Sequence, residues 1–308
     1  MSSFSFAESG YIHSHVDYEE WKKSGRRFQK TAKDPNNELS LYHKTLSESG
    51  YPFKDNASHD IEFIVKDAYQ NTSRLNFTVN VKPGSILINT ASTGNKEHDV
   101  LFSYDATNYF EKEDIKIKIP YKGLFNDIAF EYAKSTNYYT QYSSLHHVHN
   151  VYTPLLKSYT LRIEPTNLPR NLWNKATIVR LDKDNDKEAI SSKFENGFVV
   201  GSPNKFGKFY VDVDTLAPKI IPLNVYSNAN LSANEYVSFN VTDNLTGIES
   251  YNGYIDNKWV LFEYDPKNNA LRYYFDDERL EHGKSHKLEL NVTDEKNNAA
   301  TYSVDFFR

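Results

Sequence analysis

Apolar and polar residues alternate one by one along most of this chain. The segment HDIEFIVKD places Ile61, Phe63 and Val65 on one face of an extended strand. The same period recurs in RLNFTVNV, DIKIKIP and YVSFNVTD, which begin at positions 74, 114 and 236. A period of two is typical of a strand with one buried and one solvated face, and it favours antiparallel sheets.

A hairpin and a few helical turns complete the predicted elements. In KWVLFEYDPKNNALRYYFDD, residues 259–264 and 271–275 are predicted to form the two arms, with the turn at 265–269 between them. Asp17 is predicted to cap a short helix over YEEWKKS, with Glu20 at the capping-box position and Gly25 as the stop. One or two further helical turns are expected near residues 168–176.

An internal repeat joins the two ends of the chain. HDIEFIVKDAYQNTSRLNFTV aligns without a gap with HKLELNVTDEKNNAATYSVDF, so that Asp67 matches Asp294 and Asn71 matches Asn298. Each copy reads as a strand that ends in Asp, a turn that contains Asn, and a returning strand. Such hairpins are common in immunoglobulin-like sandwiches.

Proline and glycine interrupt the alternation in VKPGS and in DTLAPKIIP, which suggests three domains. We predict an all-β chain of tandem immunoglobulin-like β-sandwiches at residues 1–82, 83–215 and 216–308. The first has only about 80 residues where such a sandwich usually needs about 100. It is therefore expected to be truncated and to belong to a longer protein.

Composition removes several classes of function. The net charge of −5 and the absence of a basic block argue against nucleic acid as a partner. The chain has no Cys, which excludes disulfides and thiol nucleophiles. No apolar run approaches the roughly 20 residues of a membrane span, and the first residues do not read as a signal peptide.

Five blocks of the sequence, in order, resemble one known family. They are YIHSHVDYEEWKKSGRRFQKTAKDPNNELSLY, HDIEFIVKDAYQNTS, HNVYTPLLKSYTLRIEP, FGKFYVDVDTLAPKI and VTDNLTGIESYNGYIDNKWVLFEYDPKNNALRYYFDD. They are similar to the region downstream of the catalytic domain in large bacterial lysostaphin-like (LytM-type) zinc metallopeptidases. In that family a His and an Asp of one motif and the last His of a His-x-His motif hold the zinc, and a Gly-rich frame surrounds the first motif.

This chain has only 12 Gly and no HxGxD-like segment, so the resemblance falls on the accessory region alone. It implies that the chain itself is not an enzyme and has no catalytic residues, metal ligands or cofactor of its own, whereas zinc belongs to a catalytic domain upstream. The implied partners are that upstream domain and either peptidoglycan or an envelope protein. The implied location is the cell envelope, meaning the periplasm or the exterior.

The most concentrated candidate site is SSLHHVHN, in which His147 and His149 have the His-x-His spacing of several zinc hydrolases. On a strand the two imidazoles would share a face and could bind zinc. A catalytic zinc needs a third protein ligand, for which His15, His98 or a carboxylate are the candidates. No partner motif accompanies the pair, so we interpret it as part of a structural strand.

His13, His15 and Asp17 form a second alternating set. The pattern could hold a metal on one face of a strand. Because a helix cap already accounts for Asp17, we favour a strand that runs into a capped helix.

Asp182, Asp184 and Asp186 in LDKDNDKEA have the spacing of a calcium loop. An EF-hand would need Gly at the sixth position and Glu at the twelfth, where Lys187 and Lys193 stand. A solvated turn between strands is the better interpretation.

Aromatic side chains are the remaining candidates for binding. Trp259, Phe262 and Tyr264, with Tyr273 and Tyr274 on the other arm of the hairpin, could stack on the sugar rings of a glycan. The alternative is that alternate members fill the core of the sandwich.

The sequence thus predicts a non-catalytic accessory region of an envelope zinc endopeptidase that resembles peptidoglycan hydrolases. Its role would be to position the enzyme or to bind an envelope partner. An adhesin or glycan-binding module unrelated to a peptidase is one alternative. A divergent zinc hydrolase centred on His147 and His149 is the other.

Overall fold

A computed structural model describes residues 3–4, 15–30, 32–39, 42–44, 53, 55–81, 100–135, 142–276 and 279–308. The described chain is all-β, as predicted, with one α-helix and one 3-10 helix among its strands. Contacts divide the chain into two compact units, Met1–Leu101 and Phe102–Arg308. The three-domain division at 82 and 215 stays a prediction.

The first unit contains short elements and one long hairpin. Its described elements are β1 (Ser3–Phe4), α1 (Tyr18–Ser24), β2 (Tyr42–Lys44), β3 (Ser58–Lys66) and β4 (Thr72–Asn80). β1 pairs with β2, and β3 pairs with β4 along its whole length.

Helix α1 begins and ends where the sequence predicts. Asp17 Oδ1 accepts a hydrogen bond from the backbone N–H of Glu20 at 3.0 Å. Gly25 closes the helix in the left-handed conformation, with φ 74°, and its N–H donates to the carbonyl of Trp21. The N–H of Asp17 donates to the carbonyl of Phe28, so the second bond of a capping box is replaced by a backbone contact.

The apolar face predicted for the β3–β4 hairpin is not buried. Val65 is 67% exposed and Leu75 is 60% exposed, while Phe63 and Phe77 stack on each other with ring centroids 5.8 Å apart. Alternation therefore predicted the strands and their facing side chains correctly, but the buried face was wrong for this hairpin.

Two sandwiches form the second unit, and β5 (Val100–Phe102) lies where it begins. The strands of the first sandwich are β6 (Asn108–Lys112), β7 (Ile115–Ile119), β8 (Ile128–Phe130), β9 (Tyr132–Ser135), β10 (Leu145–Val148), β11 (Thr160–Ile163), β12 (Ala176–Leu181), β13 (Lys187–Ile190), β14 (Ser192–Glu195), β15 (Phe198–Gly201) and β16 (Gly207–Val213). All of them except β8 form two antiparallel five-stranded sheets, in the orders β13-β12-β16-β10-β9 and β14-β15-β11-β7-β6.

The core of this sandwich lies between its two sheets. Ile115, Ile117 and Ile119 are buried on β7, as the alternation predicts, and they pack in one cluster with Ile178 of β12 and Phe209 of β16 on the opposite sheet. The 3-10 helix Arg170–Lys175 occupies the predicted helical turn and leads directly into β12.

The second sandwich follows a short linker. Its strands are β17 (Lys219–Pro222), β18 (Ala229–Asn230), β19 (Tyr236–Thr242), β20 (Ile248–Ile255), β21 (Lys258–Val260), β22 (Glu263–Asp265), β23 (Ala270–Tyr274), β24 (Ser285–Asp294) and β25 (Ala299–Phe307). The sheets have the orders β17-β19-β23-β22 and β18-β25-β24-β20-β21. All pairs are antiparallel except β18 with β25, a two-residue parallel pair that departs from the antiparallel expectation.

The hairpin predicted over residues 259–275 is only half correct. β22 pairs with β23, so the turn at 265–269 is confirmed. The first arm is divided, however, because β21 pairs with β20 in the other sheet. The chain crosses between the sheets at Phe262, whose side chain is 2% exposed in the core.

The internal repeat is confirmed at the level of single hydrogen bonds. His59 faces Val79 in β3–β4, and His286 faces Phe306 at the equivalent positions of β24–β25. In the turns, Asp67 accepts the N–H of Asn71 at 2.9 Å, and Asp294 accepts the N–H of Asn298 at 2.8 Å. In both turns the side-chain amide of the Asn also donates to the second oxygen of the Asp, at 2.7 Å and 2.6 Å.

Candidate functional site at the junction of two sandwiches

His147 and His149 do not share a strand face. Strand β10 ends at Val148, and His149 takes a left-handed conformation with φ 51°. The ring of His149 lies between Phe130 and Phe206, at centroid distances of 5.8 Å and 5.0 Å. Neither histidine belongs to a group of three close metal-ligand side chains within the described residues.

The buried member of this histidine run is His146, which is fully enclosed. Its Nδ1 lies 2.9 Å from the hydroxyl of Tyr132, and its Nε2 lies 4.0 Å from Asp114 Oδ2. Lys134 Nζ contacts the same Asp114 oxygen at 2.6 Å. Burial lowers the pKa of His146 to about 4, against the opposing effect of the Asp114 charge, so the imidazole is neutral at pH 7.

The other predicted sets are dispersed or satisfied locally. His13 and His98 lie outside the described residues, Asp17 caps α1, and His15 belongs to the first unit. Asp182 forms a solvated turn in which its Oδ1 accepts the N–H groups of Asp184 and Asp186, at 2.8 Å and 2.9 Å. These hydrogen bonds lower the pKa of Asp182.

The proposed aromatic patch does not form a single surface. Phe262 and Tyr273 are buried in the core of the second sandwich, as the packing alternative predicts. Trp259 and Tyr274 are about half exposed, at 50% and 48%, but they belong to different sheets. Gly253 contributes to the burial of Phe262, because a Cβ at that position would lie 2.1 Å from its ring.

The described side chains converge instead where the two sandwiches meet. Leu145, Val179, Leu181 and Tyr210 form a small apolar cluster on the first sandwich, and Leu245 of the second sandwich packs against it. Leu245 lies in the loop that follows β19. This contact buries apolar surface of both sandwiches at the junction.

Two lysines join the sandwiches by hydrogen bonds. Lys175 Nζ donates to the carbonyl of Lys296 at 2.7 Å and to Asn298 Oδ1 at 2.6 Å. Lys296 Nζ returns to the first sandwich and donates to the carbonyl of Ser192 at 2.5 Å. Lys296 is only 4% exposed, so these contacts are shielded from solvent.

Three carboxylates meet beside these lysines. Asp214 follows the last strand of the first sandwich, Asp243 follows β19, and Asp294 is the last residue of β24. One carboxylate oxygen from each lies within 4.8 Å of the others, and the side chains of Asp214 and Asp294 are fully buried.

Sequence reasoning missed this cluster. Each Asp stands at the end of a strand before a turn. Asp67 at an exposed site and Asp182 at a partly exposed site stand in the same local pattern. The recurrence of Asp before a turn is a signal that the three residues share with Asp67 and Asp182, so it does not identify the cluster. Only the packing of the linker brings these residues together.

Comparison with known proteins gives two resemblances. Residues 99–214 match the family model described as the Zu5-like domain, which covers the first sandwich. A solved structure of Clostridium thermocellum CbhA fibronectin(III)-like modules is similar over 49% of this chain and 85% of that one, with 15% identity and a TM-score of 0.24. No curated protein matches. In the described part of the chain, no helix has the length and apolar character to cross a bilayer. The sheets of the second unit form two β-sandwiches, and the first of these sandwiches is similar to a Zu5-like domain.

Proposed function

We propose that the chain is a non-catalytic accessory region of an envelope zinc endopeptidase related to peptidoglycan hydrolases. It positions the catalytic domain on its insoluble substrate or binds an envelope partner. The cell envelope is the proposed location. Zinc and the peptide-bond chemistry belong to the catalytic domain upstream.

The observation that carries this proposal is the resemblance of five sequence blocks, in order, to the region downstream of the catalytic domain in that family. Two structural features are consistent with it. The histidines at 147 and 149 serve strand packing and a left-handed turn rather than a shared coordination face. Two sandwiches lie in tandem and share a hydrogen-bonded junction, which suits a rigid spacer.

The test compares a longer protein that contains the catalytic domain with a version that lacks residues 1–308. If the region positions the enzyme, its removal will reduce cleavage of insoluble peptidoglycan much more than cleavage of soluble muropeptides, because only the insoluble substrate requires positioning. Residues 1–308 alone should release no muropeptide and bind no equimolar zinc.

Equal loss on both substrates would contradict a positioning role. Equimolar zinc on residues 1–308, removed by His147→Ala or His149→Ala, would favour the divergent hydrolase instead. Binding of the isolated chain to peptidoglycan glycan strands that Trp259→Ala abolishes would favour the glycan-binding alternative, since Trp259 is half exposed on an outer surface.

A further inference from the structure

Within the described residues, the three-carboxylate cluster at the sandwich junction has no basic side chain in ion-pair contact. Asp214, Asp243 and Asp294 form no ion pair with any lysine, arginine or histidine among the described residues. The nearby Lys175 and Lys296 donate instead to backbone carbonyls and to other side chains. Carboxylates this close together in a buried site repel one another strongly unless a cation joins them.

One oxygen of the cluster also has no hydrogen-bond donor. Asp243 Oδ2 accepts the N–H groups of Leu245 and Gly247, at 3.0 Å and 2.9 Å. Asp243 Oδ1 is completely enclosed and accepts no hydrogen bond from the described residues. An enclosed anionic oxygen costs free energy when it is left without a donor or a cation, and Asp243 is one of the three residues whose carboxylates meet at the junction.

The remaining hydrogen bonds hold the carboxylates in position. Thr246 donates its N–H and its hydroxyl to Asp214 Oδ2, at 3.1 Å and 2.6 Å, and so ties the linker to the second sandwich. Asn298 holds Asp294 through its side-chain amide and also donates to the carbonyl of Asp214 at 3.0 Å. The positions of the three carboxylates are therefore fixed by neighbouring donors.

The ligand chemistry selects a hard divalent cation. Carboxylate oxygens bind Ca²⁺ at about 2.4 Å, so two ligands on opposite sides of one ion lie about 4.8 Å apart. The separation of up to 4.8 Å among these oxygens suits a single ion. The set contains no histidine, and Cys is absent from the chain, so the soft ligands that favour zinc are missing.

We propose that Asp214, Asp243 and Asp294 bind one Ca²⁺ ion, which fixes the linker between the sandwiches to the second sandwich. Asp214 comes from the linker, and the other two ligands come from strand ends of the second sandwich. This inference does not depend on the proposed function. The calcium site would belong to the junction between the sandwiches, whichever partner the chain binds.

The test measures Ca²⁺ binding by titration calorimetry and the melting temperature of residues 1–308 after removal of metal by a chelator. Ca²⁺ should bind with a stoichiometry of one and raise the melting temperature by several degrees, because the ion binds the folded chain only. Asp243→Asn should weaken binding by at least about tenfold, since ligand charge sets the affinity of such sites. With chelator present, this variant should melt at no lower temperature than the wild type, because it removes a repulsive charge.

Asp182→Asn is the matched control. Asp182 accepts N–H groups two and four residues ahead, as Asp243 does, but it lies in an exposed turn. The control should bind Ca²⁺ like the wild type, and Asp214→Asn should repeat the loss seen with Asp243→Asn. The absence of equimolar Ca²⁺ binding at millimolar concentration would overturn the proposal, and so would equal binding by Asp243→Asn and the wild type.

Discussion

A single buried imidazole makes the stability of the first sandwich sensitive to acid. The pKa of His146 is about 4 in the folded chain, because the ring is fully buried, while an unfolded histidine titrates near about 6.5. Lys134 and His147 lower the pKa of His146 further, and the charge of Asp114 opposes them. Because the unfolded chain binds this proton first, stability is complete above the unfolded pKa and falls as the pH drops towards the folded pKa.

We predict that urea unfolding will show a loss of about 3 kcal/mol from this group between about pH 7 and pH 4. His146→Gln should reduce that loss, since glutamine keeps a polar partner for the Tyr132 hydroxyl and does not titrate. The measurement is the free energy of unfolding at several pH values, followed by tyrosine and tryptophan fluorescence.

His147→Gln is the control for this prediction. His147 is only partly buried, and its pKa is lowered by burial and by Lys208 to a smaller extent than that of His146. An equal change of pH dependence in both variants would show that His146 has no special part in acid sensitivity.

Side-chain interactions could be predicted from the sequence when the partners are close in the chain, and they were missed when the partners are far apart in the chain. The cap at Asp17 and the turn at Asp182 involve neighbours within four residues, so the sequence contains the whole interaction. The carboxylate cluster joins Asp214, Asp243 and Asp294 across 80 residues of chain. Nothing in the local pattern distinguishes these three from exposed aspartates.

At the level of elements, the two copies of the repeated hairpin have the same backbone geometry, so the burial of their side chains can be compared directly. β3–β4 and β24–β25 share their register and their turn hydrogen bonds. β24 lies between two strands of a five-stranded sheet, while β3 pairs with β4 alone among the described residues. Leu288, Leu290 and Val292 are buried, whereas Phe63 and Val65 are exposed.

We therefore predict that backbone amides of β24 exchange with solvent far more slowly than those of β3. Both edges of β24 are hydrogen-bonded to neighbouring strands, and alternate side chains of β24 lie in the core, so exchange there requires extensive unfolding. Hydrogen exchange with mass spectrometry should show protection over residues 287–293 that is lost only on global unfolding, and early exchange over residues 60–66.

Equal protection of the two hairpins would mean that a further layer covers β3–β4 in solution. The comparison is internally controlled, because sequence pattern, register and turn are shared by the two copies.

Alternation alone could not separate these two hairpins or locate the crossover at Phe262. A period of two in the hydrophobic pattern shows that the two faces of a strand differ in polarity. Which face is buried is decided by the layer that packs against the strand. The crossover arises because β21 and β22 join different sheets, and this change of partner leaves no mark in the hydrophobic pattern. The strands themselves, and the turn at 265–269, were predictable because their signals are local.

At the scale of the molecule, the second unit contains two sandwiches that should unfold together. Lys296 Nζ contacts the carbonyl of Ser192 and the Glu295 carboxylate inside the junction, and Leu245 packs on the first sandwich. Breaking these buried contacts costs about 1–3 kcal/mol for each unsatisfied group.

We predict one shared unfolding transition for the two sandwiches, reported by Trp173 in the first and Trp259 in the second. Variants that retain only one of these tryptophans should give coincident urea curves. Lys296→Met keeps most of the side-chain packing but removes the hydrogen-bond donor of the junction. Either both urea curves should shift to lower urea concentration by the same amount, or the two curves should no longer coincide.

Lys193→Met is the control, since it removes a lysine that is 75% exposed and lies in the same sandwich as Ser192. It should leave both curves within about 0.5 kcal/mol of the wild type. Separate transitions in the wild-type background would show that the junction does not couple the sandwiches.

The linker between the sandwiches, residues 214–218, is anchored at its first residue on both sides. The N–H of Asp214 donates to the carbonyl of Lys175, and its carbonyl accepts the side-chain amide of Asn298. If the linker were flexible, a domain or ligand attached to one sandwich would sample many orientations relative to the other sandwich. With this anchored linker the two sandwiches keep a fixed relative orientation, so that a rotation of one sandwich also rotates the other.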